Sequence, residues 1–202
     1  MQPFYQTIES STKAEYKDRG SRFIAYLFPI NAPEDFKKHL KAIKDEHPKA
    51  VHHCFAYRLG VDGAVFRTND DGEPAGTAGK PILGQLDSKG VTNAAVVVVR
   101  YFGGTLLGVP GLIAAYKTVT ALALQLTPVL QKSVFVNYDV LFDYTLLNDV
   151  MLLVKRFGCT VQAQELQLFC RMQLGVPLAQ ESAWLQKAND MRGVEVTKVP
   201  LL

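Results

Sequence analysis

The sequence predicts an α+β protein of two domains, and three observations carry this prediction. Residues 94–99 form a continuous apolar run rich in valine, which is typical of a strand buried on both faces of a sheet. A glycine-rich segment and a helical pattern follow that run directly. After Thr127-Pro128, where the proline disfavours further helix, residues 132–202 begin a strand and helix order of their own.

Composition places the chain in the ordinary globular range, with 202 residues, 48% hydrophobic and 20% charged. The net charge of +3 is mild, and the excess lies in residues 1–130, which carry 15 Lys and Arg against 12 Asp and Glu. Three cysteines without Cys-x-x-Cys spacing argue against a disulfide framework and a structural zinc site. No long apolar run or secretory pattern is evident, so we expect a cytoplasmic protein without a membrane partner.

The first domain opens with β structure. Alternating residues between Thr12 and Pro29, interrupted by a turn at 18–20, predict two strands. From Pro33 the apolar spacing changes to three and four residues, which predicts an amphipathic helix ending before Pro48. Residues 51–59 alternate again and return through 64–67, so this part of the chain predicts a hairpin.

A short helix is predicted over 81–88, before the buried strand. A longer helix is predicted after Gly111, with Leu112, Val119 and Leu126 on its apolar stripe. Because Pro128 ends this helix, the predicted domains are residues 1–128 and 132–202.

The second domain reads as strand, helix, two strands, helix and strand. This βαββαβ order predicts a ferredoxin-like sandwich, with helices on one face of an antiparallel sheet. Residues 166–174 alternate cleanly, which places Phe169 on the face opposite Cys170. On that face Phe169 could stack on an RNA base, although core packing or a domain interface is the simpler role.

Residues 69–81, called the acidic loop below, combine three carboxylates with glycines and prolines that shape turns. Asp70, Asp71 and Glu73 could hold Mg²⁺, and His53 could then act as an acid or base, which makes these four the catalytic candidates. Alternatively, the three carboxylates could form ion pairs that stabilise the loop, with no catalytic role. His53 faces opposite to its neighbours His52 and Cys54 on the strand, so the three cannot form a local site.

Residues 100–111, called the glycine-rich segment below, follow the buried strand and precede a helix. The glycines Gly103, Gly104, Gly108 and Gly111 could cradle an anion through backbone donors, or allow close packing. Neither a dinucleotide-binding nor a P-loop spacing is present. Arg100 could neutralise a bound anion or pair with the acidic loop.

The paired motifs at 70–81 and 96–104 resemble those of the IMPACT family, including its bacterial YigZ-type members. Residues 21–24, 52–54 and 107–108 also match family positions. Two departures are Pro110, where the family usually has glycine, and Asn69, where serine is common. The proline fixes φ and lacks a donor, which weakens an anion-binding nest at that position.

The resemblance implies an N-terminal domain similar to domain 2 of ribosomal protein S5 and a C-terminal domain similar to a ferredoxin-like domain of elongation factor G. It also implies a translation-associated binding protein rather than an enzyme, engaging RNA, the ribosome or a translation-related protein without a cofactor. An enzyme acting on a phosphorylated or anionic small molecule with Mg²⁺, and a protein-docking adaptor, are the alternatives. The expected contact residues comprise Arg22, His53, Asp70, Asp71, Gly72, Glu73, Thr77, Gly79, Arg100, Tyr101, Gly103, Gly104, Gly108, Gly111 and Tyr116.

Overall fold

The computed structural model describes residues 2–200, which form two compact units. One unit is Tyr5–Lys132, and the other runs from Ser133 and includes the first residues up to Phe4. Both combine helices with antiparallel sheets, as the α+β class predicts. Among the residues described, no helix has both the length and the apolar character required to cross a bilayer.

The first unit is built on a five-stranded sheet. Its strands, in the order in which they lie side by side, are β2 (Thr12–Asp18), β3 (Ser21–Pro29), β6 (Ala94–Tyr101), β4 (His52–Leu59) and β5 (Val65–Asn69), and every neighbouring pair is antiparallel. The predicted buried strand is therefore the centre of this sheet. Residues 94–99 are all 0% exposed, because helices cover both faces of β6.

Three helices supply the two outer layers of this unit. Helix α1 (Pro33–Glu46) packs through Phe36 and Ile43 on one face, whereas α2 (Gly79–Ser88) and α3 (Gly108–Gln125) pack on the other. Helix α1 begins with proline in its first turn, and the Asp35 carboxylate accepts the N–H groups of Asn31 and Ala32.

Two helix boundaries differ from prediction. Helix α2 starts at Gly79 rather than Pro81, and α3 starts at Gly108 rather than after Gly111. Pro110 therefore lies in the first turn of α3, where its missing N–H would have no partner within the helix. The prediction of Leu126 on the buried stripe was wrong, because α3 ends at Gln125 and Leu126 is 63% exposed.

The strands β1 (Phe4–Thr7) and β7 (Leu130–Ser133) form a two-stranded sheet that sequence reasoning missed. Each strand has only four residues, which is too short for a two-residue period to be recognised.

The second unit follows the predicted βαββαβ order. Its elements are β8 (Phe135–Asp143), α4 (Leu147–Arg156), β9 (Thr160–Glu165), β10 (Phe169–Pro177), α5 (Glu181–Asn189) and β11 (Val194–Lys198). The sheet is antiparallel in the order β11-β8-β10-β9, and short 3-10 turns precede both helices. A core that includes Trp184 and Met172 lies between this sheet and the two helices.

Candidate functional site

The strand ends that carry the candidate site lie at one end of the five-stranded sheet. Strand β3 begins there at Ser21 and β4 at His52, whereas β5 ends at Asn69 and β6 at Tyr101. The acidic loop leaves from β5 and the glycine-rich segment from β6. Antiparallel pairing therefore brings the two motifs together, although 27 positions separate Glu73 from Arg100.

Asp70 acts as a cap for a helix that begins nine residues later. Its Oδ1 accepts the N–H groups of Ala78 and Gly79 at 3.0 and 2.8 Å, and its Oδ2 accepts that of Gly76 at 2.8 Å. Burial opposes ionisation of the carboxyl, but these backbone donors prevail and lower the pKa of Asp70. The carboxylate thus stabilises the N-terminus of α2, where Ala78 supplies no side-chain cap.

Asp71 ties the acidic loop to the start of β4. Its Oδ2 accepts the backbone N–H of His53 at 2.7 Å, and its carbonyl oxygen lies 2.7 Å from Nδ1 of His52. Because a carbonyl only accepts, Nδ1 of His52 carries the proton. Asp71 has a φ of +42°, and its backbone N–H donates to Oδ1 of Asn69.

Glu73 lies at the centre of a buried polar network. Its Oε1 accepts from Nη1 of Arg100 at 2.7 Å and from the Tyr116 hydroxyl at 2.8 Å. The side chains of Glu73 and Arg100 are only 3% and 6% exposed. Sγ of Cys54 lies 3.2 Å from the same hydroxyl and 3.0 Å from the carbonyl oxygen of Asp70. An ion pair this well buried fixes the relative position of the two motifs.

The two neutral members of this network are held in their protonated forms. Burial raises the pKa of the Tyr116 hydroxyl, and burial likewise raises that of the Cys54 thiol. Cys54 is therefore a core residue without thiolate character. Its contact with Tyr116 joins residues 62 positions apart, and no spacing in the sequence could have revealed it.

Ser21 extends the network to the glycine-rich segment. Its hydroxyl oxygen accepts the N–H of Gly103 at 3.2 Å and lies 3.4 Å from Nη2 of Arg100. Gly103 also packs directly on Gly20, since a Cβ added at Gly103 would come within 1.9 Å of the Gly20 carbonyl carbon. Glycine at position 103 serves close backbone packing, which was one of the two predicted roles.

The structure brings together only two of the four catalytic and metal candidates, since Nδ1 of His53 lies 3.9 Å from Oδ2 of Asp71. His53 lies on the α1 face of the sheet, whereas Glu73 lies on the opposite face with His52, whose Nε2 is 3.9 Å from Glu73 Oε1. Asp70, Asp71 and Glu73 are each directed at different partners. Within residues 2–200, no three His, Cys, Asp or Glu side chains cluster as metal ligands would.

The burial of Arg100 corrects the expectation that it contacts phosphates. Its guanidinium pairs with Glu73 inside the protein, which is the simpler of the two predicted roles. Arg22 and Tyr101 are paired across β3 and β6, on the α1 face, outside this network. Arg22 is exposed and bonds Glu15 at 2.6 Å, while the Tyr101 hydroxyl lies 2.8 Å from Nδ1 of His47.

Three further predicted contact residues have structural roles in the acidic loop. Thr77 Oγ1 donates to the carbonyl of Pro74 at 2.7 Å, which closes a turn. Gly72 has a φ of +88° beside the His52 ring, and Gly79 lies so close to β5 that a Cβ would approach Asn69 N within 2.9 Å.

The outer part of the glycine-rich segment is the exposed part of the site. Phe102, Leu106 and Val109 are 47%, 82% and 51% exposed. Gly104 has a φ of +86° and no neighbour that a side chain would meet, whereas Gly108 at +70° opens α3. Three exposed apolar side chains thus lie in the segment that follows the buried polar network.

Comparison with known proteins agrees with this arrangement of motifs. The model of the Impact N-terminal domain matches residues 19–124. The IMPACT family member YigZ of Escherichia coli is 36% identical over 174 residues, covering 85% of each chain, and a Haemophilus influenzae family member is 37% identical over 174 residues, covering 85% of this chain and 84% of its own. Human protein IMPACT is 38% identical over 96 residues, covering 45% of this chain and 29% of its own.

A solved structure shares the whole architecture. It was described as the crystal structure of a hypothetical protein, and it matches with a TM-score of 0.76 at 30% identity over 99% of both chains. The buried polar network lies within the matched domain, and 174 aligned residues carry the likeness to the bacterial relatives into the second unit. This chain therefore belongs to the IMPACT family.

Proposed function

We propose that this chain is a translation-associated binding protein that engages a ribosomal component, RNA or a translation factor through its first unit. Family membership supports the association with translation. In this proposal the contact surface is the outer part of the glycine-rich segment, residues 102–109, and the buried network holds that surface in place.

The finer fold assignments are part of the same proposal. The second unit has four antiparallel strands that lie side by side in the order fourth, first, third, second, with α4 and α5 on one face. This order supports a ferredoxin-like domain of the elongation factor type. The likeness of the first unit to domain 2 of ribosomal protein S5 rests on the family resemblance. Fold likeness alone does not assign an activity.

The exposure of Phe102, Leu106 and Val109 is the observation that carries the proposal. When a partner covers apolar side chains that were exposed to water, the free energy of binding becomes more favourable by about 25 cal/mol for each Å² of apolar surface buried. The buried Glu73–Arg100 pair keeps the base of this loop fixed, which lowers the entropy lost on binding. This combination favours a protein surface, including a ribosomal protein, as the partner of the loop.

Co-sedimentation with ribosomes tests this proposal. Leu106→Glu places a charge at the most exposed apolar position of the loop, and we expect it to abolish co-sedimentation while the protein remains folded. Val65→Glu makes the same change at a 55% exposed position on β5 and serves as the matched control. Equal co-sedimentation of both variants with the wild type would refute the role of the loop.

The enzyme alternative has one observation in its favour. His52 is 16% exposed, its Nδ1 is fixed by Asp71, and its Nε2 faces Glu73 at 3.9 Å. A histidine oriented in this way can exchange a proton at Nε2 with a bound molecule. Thermal unfolding with Mg²⁺ and a panel of phosphorylated metabolites tests this alternative, because a ligand raises the melting temperature of the wild type and not of His52→Ala.

A further inference from the structure

The second unit has nearly equal numbers of acidic and basic residues, but the two kinds are unevenly distributed over it. Residues 131–202 contain 7 Lys and Arg and 7 Asp and Glu. The strand register places four acidic residues on the open face of the sheet: Asp139, Asp143, Glu165 and Glu195. Arg171 of β10 lies on the same face. Phe169 is 75% exposed on this acidic face, opposite Asp143. The face therefore repels phosphates, which argues against base stacking on Phe169.

The opposite side of this unit carries a basic cleft between its helices. The cleft has a volume of about 660 Å³ and no carboxylate among its lining residues. Its polar lining comprises Lys155, Arg156, Gln180, Gln186 and Lys187. Ala183 on α5 lies between Gln186 on the same helix and Gln180 in the preceding 3-10 turn, at three-residue spacing, so a small side chain leaves the middle of the cleft open.

The cations of the cleft are poorly neutralised. Within residues 2–200, no carboxylate lies within 4.0 Å of the charged groups of Lys155 or Arg156, and Lys187 meets Asp190 only at 3.9 Å. Lys155 and Arg156 also lie in the last turn of α4, where positive charge interacts favourably with the helix C-terminus. Lys187 lies in the last turn of α5 and benefits in the same way. What the helix ends do not require is that three such cations line one cleft without a carboxylate among its lining residues.

We propose that this cleft binds the phosphate backbone of RNA. Its lining is open to solvent, whereas small molecules are usually bound in sites that enclose most of their surface. Exposed cations along a shallow cleft suit successive phosphates of a strand, which need charge and hydrogen-bond donors rather than enclosure. The two glutamine amides add donors of this kind. This inference deepens the proposed function, because it names RNA as a partner and assigns it to the second unit.

Fluorescence anisotropy with a labelled single-stranded oligouridylate tests the proposal on the full chain. In the variant Lys155→Gln/Arg156→Gln we expect affinity to fall about tenfold at low salt. The slope of log affinity against log salt should decrease by about 1.4, or ~0.7 for each lost phosphate contact. Lys38→Gln/Lys41→Gln removes the same charge from exposed positions of α1 and should leave both quantities unchanged.

Residue-level mapping gives an independent readout. Amide resonances of Gly158 and Ala183 should shift when unlabelled oligouridylate is added to ¹⁵N-labelled protein, because both residues line the cleft. Equal loss of affinity in the α1 control, or shifts confined to other surfaces, would overturn the proposal. Saturable binding of uridine monophosphate at the cleft without oligouridylate binding would overturn it in favour of a small ligand. Ribosome co-sedimentation that persists without RNA binding would overturn this inference and leave the proposed function standing.

Discussion

Glu73 and Arg100 illustrate how an acidic motif can serve architecture. The pair is almost completely removed from water, and Tyr116 and Ser21 satisfy part of its remaining hydrogen-bonding capacity. A buried ion pair gains little net free energy over an apolar pair, but the loss of one partner leaves an isolated buried charge. The pair therefore specifies one arrangement of the two motifs rather than supplying a reactive group.

The first prediction concerns removal of one member of this pair. Glu73→Ala should lower the free energy of unfolding by about 3–5 kcal/mol, because the Arg100 charge stays buried without its partner. Glu15→Ala removes the exposed partner of Arg22 and should cost at most about 1 kcal/mol. Urea denaturation of both variants measures the difference, and equal costs would show that burial of Glu73 has no energetic consequence.

The second prediction concerns acid sensitivity. Burial lowers the pKa of His53, and burial also lowers that of His47, so the unfolded chain binds these protons at a higher pH than the native protein. Stability is thus fully present above the unfolded pKa of about 6.5 and is lost as the pH falls towards the folded values. Each histidine contributes a slope of at most ~1.4 kcal/mol per pH unit.

A variant separates the contribution of His53. Its Nε2 is buried without a hydrogen-bond partner among the residues described, so a phenyl ring can replace the imidazole without losing a bond at that atom. His53→Phe should flatten the decline of stability between pH 7 and pH 5, measured by urea denaturation at each pH. His39→Gln changes an exposed histidine and should retain the wild-type decline. A wild-type decline in His53→Phe would assign the effect to other groups.

At the scale of elements, glycine acts differently in a loop and within a helix. Gly103 lies against the turn at Gly20, whereas Gly84 lies within α2 with nothing within 4 Å of an added Cβ. Gly103→Ala should destabilise by about 1–3 kcal/mol, because backbone must move to admit the methyl group. Gly84→Ala should stabilise by about 0.5–1 kcal/mol through lower chain entropy and higher helix propensity. Thermal unfolding of the two variants should therefore show melting temperatures that move in opposite directions.

The elements with long periodic patterns could be predicted from the sequence. Strand β6 and the βαββαβ order follow from apolar spacing alone, because burial selects the residue pattern. The start of α3 was missed because Pro110 reads as a break, although the first turn of a helix accepts proline. The short strands β1 and β7 depend on pairing with each other, and a local pattern contains no such information.

The candidate site was predictable only in outline. The sequence indicated that the acidic loop and the glycine-rich segment belong together and that Arg100 could pair with an acid. It did not indicate that Glu73 is the acid or that Tyr116 and Cys54 join the pair, because tertiary packing decides which side chains meet. The exposure of the Phe102 and Leu106 side chains depends on the packing of Gly103 against Gly20, which the local sequence does not specify.

At the scale of the whole molecule, each unit has its own hydrophobic core. The single tryptophan, Trp184, is fully buried in the second unit, so its fluorescence reports on that unit, whereas circular dichroism reports on both. Leu86→Ala removes a fully buried side chain of the first unit and should cost about 2–5 kcal/mol there. We expect its dichroism transition to move to lower urea while its fluorescence transition stays at the wild-type midpoint.

Met172→Ala provides the reciprocal change in the second unit, where Met172 is 0% exposed. Its fluorescence transition should move to lower urea by an amount that reflects a similar loss. Fluorescence and dichroism transitions that move together in both variants would show instead that the two cores unfold as one cooperative unit.

The contact between Gly20 and Gly103 has a consequence for protein engineering. It packs Gly103 against the rest of the unit, whereas an added Cβ at Gly104 would meet no neighbour and Leu106 is exposed. The side chains of residues 104–106 are therefore not part of the buried network. That stretch is a permissive insertion point. A short epitope or a fluorophore-binding peptide placed after Gly104 should leave the fold intact, and the same insertion would report on any molecule that approaches the proposed contact surface.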